Sequence, residues 1–119
     1  MRIFTLVIFL LLNSIGYSVE NEPSFFKTGN QLYSELNSSQ DSWYTKGTGA
    51  GYIIGVIDTY EIEQFWDKQP DYICYDPTRV NVGQLVDIVK KYLTENPGTR
   101  DLPAASLVLA ALAESFKCN

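Results

Sequence analysis

Catalysis needs nucleophiles, bases or metal ligands, and this chain carries few of them. It has no histidine and two cysteines, Cys74 and Cys118, in 119 residues. Without imidazole, Ser-His-Asp and Cys-His catalysis are excluded, and so are the histidine ligands of most zinc sites. The carboxylates that fall close together, Asp58 with Glu61 and Glu61 with Glu63, could serve as the acid and base of a glycosidase. Acids near the end of an amphipathic helix also make an ordinary solvated face, and that is the reading we favour. Gly47, Gly49, Gly51 and Gly55 fit no phosphate-cradling motif. The expectation is a protein without catalytic residues, metal or cofactor.

The cysteines bear instead on where the chain resides. Arg2, an apolar run over residues 3–12 and a small polar exit at residues 13–18 have the layout of a secretory signal peptide cleaved after Ser18. The run is too short to span a bilayer as a helix, so no membrane association is expected after cleavage. An exported chain with two cysteines pairs them, and closing the long loop between them would remove unfolded-state entropy of roughly 4 kcal/mol. The expected location is the periplasm. Residues 19–119 form one domain of modest core. Losing residues 1–18 removes Arg2 and no acid, so the formal charge goes from −5 to −6. That surplus argues against nucleic acid and suits a basic protein partner.

The pattern between these landmarks is helical. Thr28-Gly29-Asn30-Gln31 opens a short helix with Leu32 and Leu36 on one side. Residues 42–66 predict a long helix, with Asp41 or Ser42 as cap; a strand over 51–57 is the competing reading. Gly47, Gly51 and Gly55 fall four apart on one stripe of that helix. Each costs about 1 kcal/mol of helix propensity, so we expect them to admit another backbone at close range. Trp43, Tyr44, Trp66 and Tyr72 are expected in the core or an interface. Val82, Leu85, Val86, Val89, Tyr92 and Leu93 keep helical spacing behind an Asn81/Gln84 capping box. Asn96-Pro97-Gly98 stops that helix, and Pro103 starts a last one with Ala104, Leu107, Val108, Ala111 and Leu112 as its apolar stripe. The sum is an all-α bundle of about four helices with one disulfide.

Several segments together resemble the type VI amidase immunity family. They are Gly51-Tyr52-Ile53-Ile54-Gly55-Val56-Ile57-Asp58, Cys74, Gly83-Gln84-Leu85-Val86-Asp87-Ile88-Val89, Asn96-Pro97 with Arg100, Pro103-Ala104-Ala105 and Phe116-Lys117-Cys118. The opening Thr28-Gly29-Asn30-Gln31-Leu32 fits as well. Members often carry a second cysteine pair, at positions that here are Leu36 and Gly49, and Lys117 stands where a proline is usual. The resemblance implies a helical periplasmic protein, commonly a homodimer. Such proteins bind a Cys–His peptidoglycan amidase delivered by type VI secretion and occlude its active-site groove with a protruding loop.

Recognition is expected on polar, turn-forming surface between helices. The first candidates are Glu95, Asn96, Arg100 and Asp101 around the Asn96-Pro97-Gly98 turn. The second are Asp67, Lys68, Gln69 and Asp71 ahead of Cys74. The alternatives are a small periplasmic chaperone-like stress protein and an orphan relative without a toxin partner.

Overall fold

The computed structural model describes residues 24–38 and 43–119. The expected signal peptide, its cleavage site and the caps at Asp41 or Ser42 lie outside the described residues. Four α-helices account for the fold: α1 (Gly29–Leu36), α2 (Trp43–Asp67), α3 (Val82–Glu95) and α4 (Ala104–Ser115), with a short 3-10 turn at Pro97–Thr99. The described residues contain no strand, so the strand alternative within α2 is discarded.

Local sequence starts and stops these helices. At α1, the Gln31 amide donates to Thr28 Oγ1 at 3.3 Å while the Thr28 amide donates to Gln31 Oε1 at 2.8 Å. Asn81 and Gln84 repeat that box at α3, at 2.8 and 3.0 Å. Each box satisfies donors that a helix start leaves without partners. Asn37 and Asn96 close α1 and α3 alike, each donating its backbone and side-chain N–H to a carbonyl one turn back, Tyr33 or Tyr92.

The core is apolar throughout. Leu32 of α1, Ile53 of α2, Val89 and Leu93 of α3, and Val108 and Leu112 of α4 are fully buried. Each such side chain contributes about 1.5–3 kcal/mol through burial. Leu85, Ala104, Leu107 and Ala111 extend the stripes of α3 and α4 as their spacing requires, whereas Val82 is exposed at the rim. Cys74 and Cys118 are joined, with Cα atoms 5.0 Å apart. Beside them the Cys74 amide donates to Phe116 O at 2.8 Å. Leu36 and Gly49, where the family often has its second pair, also adjoin: a Cβ on Gly49 would lie 2.9 Å from Leu36 Cδ2.

Two expectations need correction. Among the described residues Gly47, Gly51 and Gly55 admit no other backbone, because a Cβ on any of them would meet nothing within 4 Å. The physical reason is phase. The buried residues of α2 are Gly49, Ile53, Ile57 and Tyr60, and at 3.6 residues per turn the glycine stripe lies on the opposite side of the helix. The glycine that does admit backbone is Gly29, whose added Cβ would run into Leu107 Cδ1 and lie 2.9 Å from Arg100 O. Second, of the core-or-interface expectation for Trp43, Tyr44 and Trp66 the core half fails, since all three are exposed. Tyr72, itself about half exposed, packs edge-on to Tyr60 with ring centroids 4.8 Å apart, and Trp43 meets Tyr44 edge-on at 6.3 Å.

Candidate functional site

The turn between α3 and α4 is held from several directions. Within it, Thr99 N donates to Asn96 O at 3.3 Å and Leu102 N to Thr99 O at 3.0 Å. The start of α1 then clamps its outer limb. Gly29 N donates to Leu102 O at 2.9 Å, Asn30 N to Arg100 O at 2.6 Å, and Ala104 N to Lys27 O at 2.9 Å. These three bonds need the backbones in contact, which is why a side chain at Gly29 would not fit. Arg100 adds a side-chain tie, its guanidinium 4.0 Å above the Tyr33 ring. Lys27 pairs with Glu35 at 2.6 Å and lies 5.0 Å over the Tyr52 ring, fastening the segment ahead of α1 to both α1 and α2.

The first group of candidate residues therefore divides in two. Asn96 and Arg100 are half-buried and hold the turn's shape. Glu95 and Asp101 are exposed; the contact of Glu95 is a surface pair with Lys91 at 3.9 Å, an arrangement worth little. Sequence reasoning missed Leu102, a large apolar side chain exposed on this turn. Leu102 reads as core from its type alone. The antiparallel pairing of Thr28 with Pro103 carries residues 25–26 away from the turn, along the start of α4.

The second group sits elsewhere. Asp67 ends α2 and Lys68 has φ 50°, the left-handed conformation that closes many helices. Gln69 Nε2 donates to Asp67 O at 3.3 Å, and Gln64 Nε2 to Pro70 O at 2.8 Å. The Tyr60 hydroxyl accepts from the Tyr72 and Ile73 amides at 3.0 and 3.1 Å, and the disulfide ties the following residues to the carboxyl end. This loop precedes α3, whereas the 96–102 turn follows it. The two groups thus lie at opposite ends of a helix about 21 Å long, and a single loop-into-groove contact can use only one of them.

Of the two candidate carboxylate pairs, Glu61 and Glu63 face different flanks of α2, whereas Asp58 and Glu61 both bear on the Tyr75 phenol. Glu63 lines a groove of about 430 Å³ between α2 and α4, with Tyr52, Val56, Tyr60 and Leu109. Glu61 faces the other flank of α2, beside Ile73, Cys74 and Tyr75. There the Tyr75 phenol is pushed above its usual range, first by burial and then by the neighbouring Glu61 carboxylate, to which it is hydrogen-bonded. Burial likewise raises Tyr52, partly offset by the Ala105 backbone hydrogen bond, and raises Tyr72 together with the charges of Tyr60 and Glu63. Asp76 is lowered by hydrogen bonds from Thr78. Among the described residues no group of three His, Cys, Asp or Glu side chains could hold a metal ion, and no helix is long and apolar enough to cross a membrane.

A small disulfide-linked helical bundle that holds a rigid, solvent-facing turn is built to bind. The chain belongs to the family of Rap1a immunity proteins, whose model it matches over residues 28–118. Membership makes it an immunity protein, of a kind that binds a cognate secreted effector. No curated protein and no solved structure matches it.

Proposed function

We propose that this protein is exported to the periplasm, where it neutralises a peptidoglycan amidase delivered by type VI secretion, acting as an inhibitor and not as an enzyme. The observation that carries this reading is the 96–102 turn, clamped by two backbone hydrogen bonds from Gly29 and Asn30 and fringed by exposed Asp101 and Leu102. A preformed protrusion loses little entropy on insertion into a groove. Its acidic edge suits the rim of a cationic cleft, in keeping with the chain's net charge of −5. Leu102 would fill the apolar floor, Asp101 and Glu95 would meet cations at the rim, and Arg100 and Asn96 would keep the turn in shape.

Protection of this kind demands slow dissociation, because one escaped amidase cuts many bonds. The protein is proposed to act as a homodimer, each copy offering one turn to one amidase. The test is co-purification with a type VI Cys–His peptidoglycan amidase, chosen from the neighbouring genes if one is encoded there, followed by a wall-digestion assay. A stable one-to-one complex that stops cleavage supports the reading. Free amidase and immunity chains under the same conditions would favour the chaperone-like or orphan alternatives.

A further inference from the structure

α2 is apolar on both sides, and the bundle uses only one of them. Its outer face runs Tyr44, Gly47, Gly51, Ile54, Asp58, Ile62 and Phe65 in three- and four-residue steps, with Trp43 and Trp66 at its two ends. Trp43 is 84%, Tyr44 70%, Phe65 75% and Trp66 70% exposed. Among the described residues nothing comes within 4 Å of a Cβ built on Gly47, Gly51 or Gly55. The four aromatics alone offer on the order of 600 Å² of surface, most of the roughly 800 Å² that each partner buries in a standard interface.

The order of residues along this face says what covers it. We infer that a second copy of this chain docks here, α2 against α2 and antiparallel, about a two-fold axis passing between Ile54 and Gly55. In that one register Trp43 meets Trp66 of the second copy, Tyr44 meets Phe65, Gly47 meets Ile62, Gly51 meets Asp58 and Ile54 meets Gly55. Aromatics face aromatics at both ends, and each isoleucine faces a glycine. A two-fold interface must be self-complementary in this way, since each contact is made twice. The glycines let the helix axes approach closer than the usual 8–10 Å, which explains three exposed glycines inside one helix that the fold of a single copy leaves unexplained. Asp58 is the one charge in the stripe; facing Gly51, its carboxylate has open room to reach water. The inference gives the proposed homodimer its face and register, and it stands whichever effector is the target.

Sedimentation equilibrium of the chain purified from the periplasm, without any effector, tests it. The wild-type chain should sediment at twice its monomer mass at micromolar concentration, and Gly55→Glu should raise the dimer dissociation constant at least 100-fold. Gly55 meets open space within one copy, so the variant should melt no lower than the wild-type monomer; Ile62→Arg, on the same face, is the second variant if it does not. Register is read by oxidation. Ile54→Cys lies next to its own counterpart and should cross-link two chains, whereas the two copies of Tyr44→Cys lie about 31 Å apart along the helix and should not. A wild-type monomer at 100 micromolar, a dimer indifferent to both Gly55→Glu and Ile62→Arg, or efficient self-linking through Tyr44→Cys would each overturn the inference.

Discussion

Gly29→Ala is a small change that reaches the proposed inhibitory turn without substituting any of its residues. The methyl group would run into Leu107 Cδ1 and would lie 2.9 Å from Arg100 O and 3.1 Å from Arg100 Cα. The leucine can turn aside, but the Arg100 backbone can retreat only by stretching the Asn30–Arg100 and Gly29–Leu102 hydrogen bonds, now 2.6 and 2.9 Å. Overpacking of this kind costs about 1–3 kcal/mol. The gain in helix propensity, at most about 1 kcal/mol, opposes it. A net loss of about 1–2 kcal/mol should lower the melting temperature by roughly 5–15 °C in a domain of this size. Thermal unfolding followed by circular dichroism measures it, and hydrogen exchange at Leu102 and Ala104 shows whether the turn has loosened. Leu107→Ala in the same chain should not rescue the variant fully, because the backbone contact remains. An unchanged or raised melting temperature would refute the claim that α1 and the turn meet backbone to backbone.

Reduction of Cys74–Cys118 opens a loop of sequence separation 44; a loss of about 4 kcal/mol should lower the melting temperature by roughly 15–30 °C in a scan with and without reductant. Arg100→Ala should cost about 0.5–2 kcal/mol through the lost Tyr33 stack, while Glu95→Lys and Asp101→Lys should stay within about 0.5 kcal/mol of wild type in urea unfolding. Lys68→Gly should stabilise by about 1 kcal/mol, since glycine adopts the positive φ of 50° at that position without strain. The phenols of Tyr52 and Tyr75 ionise later in the folded chain than their usual 10.0. Their stabilisation is therefore complete below pH 10 and lost as pH rises through the folded values, so the melting temperature should hold from pH 7 to 9 and fall above 10, less steeply in a Tyr52→Phe, Tyr75→Phe double variant.

What could be read from the chain in advance was what local chemistry decides. Asn81 with Gln84, Pro103 and the apolar stripes of α3 and α4 specify their helices without help from elsewhere, and the only two cysteines could pair only with each other. The helix of residues 42–66 was legible as an element but not in phase. Apolar and small residues occupy both its sides, so periodicity alone cannot say which side meets the core, and the packed glycines proved to be Gly29 and Gly49. The candidate turn was legible as a turn through Asn96-Pro97-Gly98. The division of labour within it was not, because the seat of Arg100 is Tyr33, far away in sequence. Leu102 shows as surface only in the folded turn, since its type alone suggests core.

The most direct test of the account is a titration of the cognate amidase, in a peptidoglycan-digestion assay, with the wild-type protein and with a Glu95→Lys, Asp101→Lys, Leu102→Ser variant. All three positions are exposed, so the variant should melt close to wild type and form the same complement of helices. The account predicts that wild type abolishes cleavage at one immunity chain per amidase and that the variant needs at least 100-fold more. Inhibition by the variant at the same one-to-one ratio would contradict it.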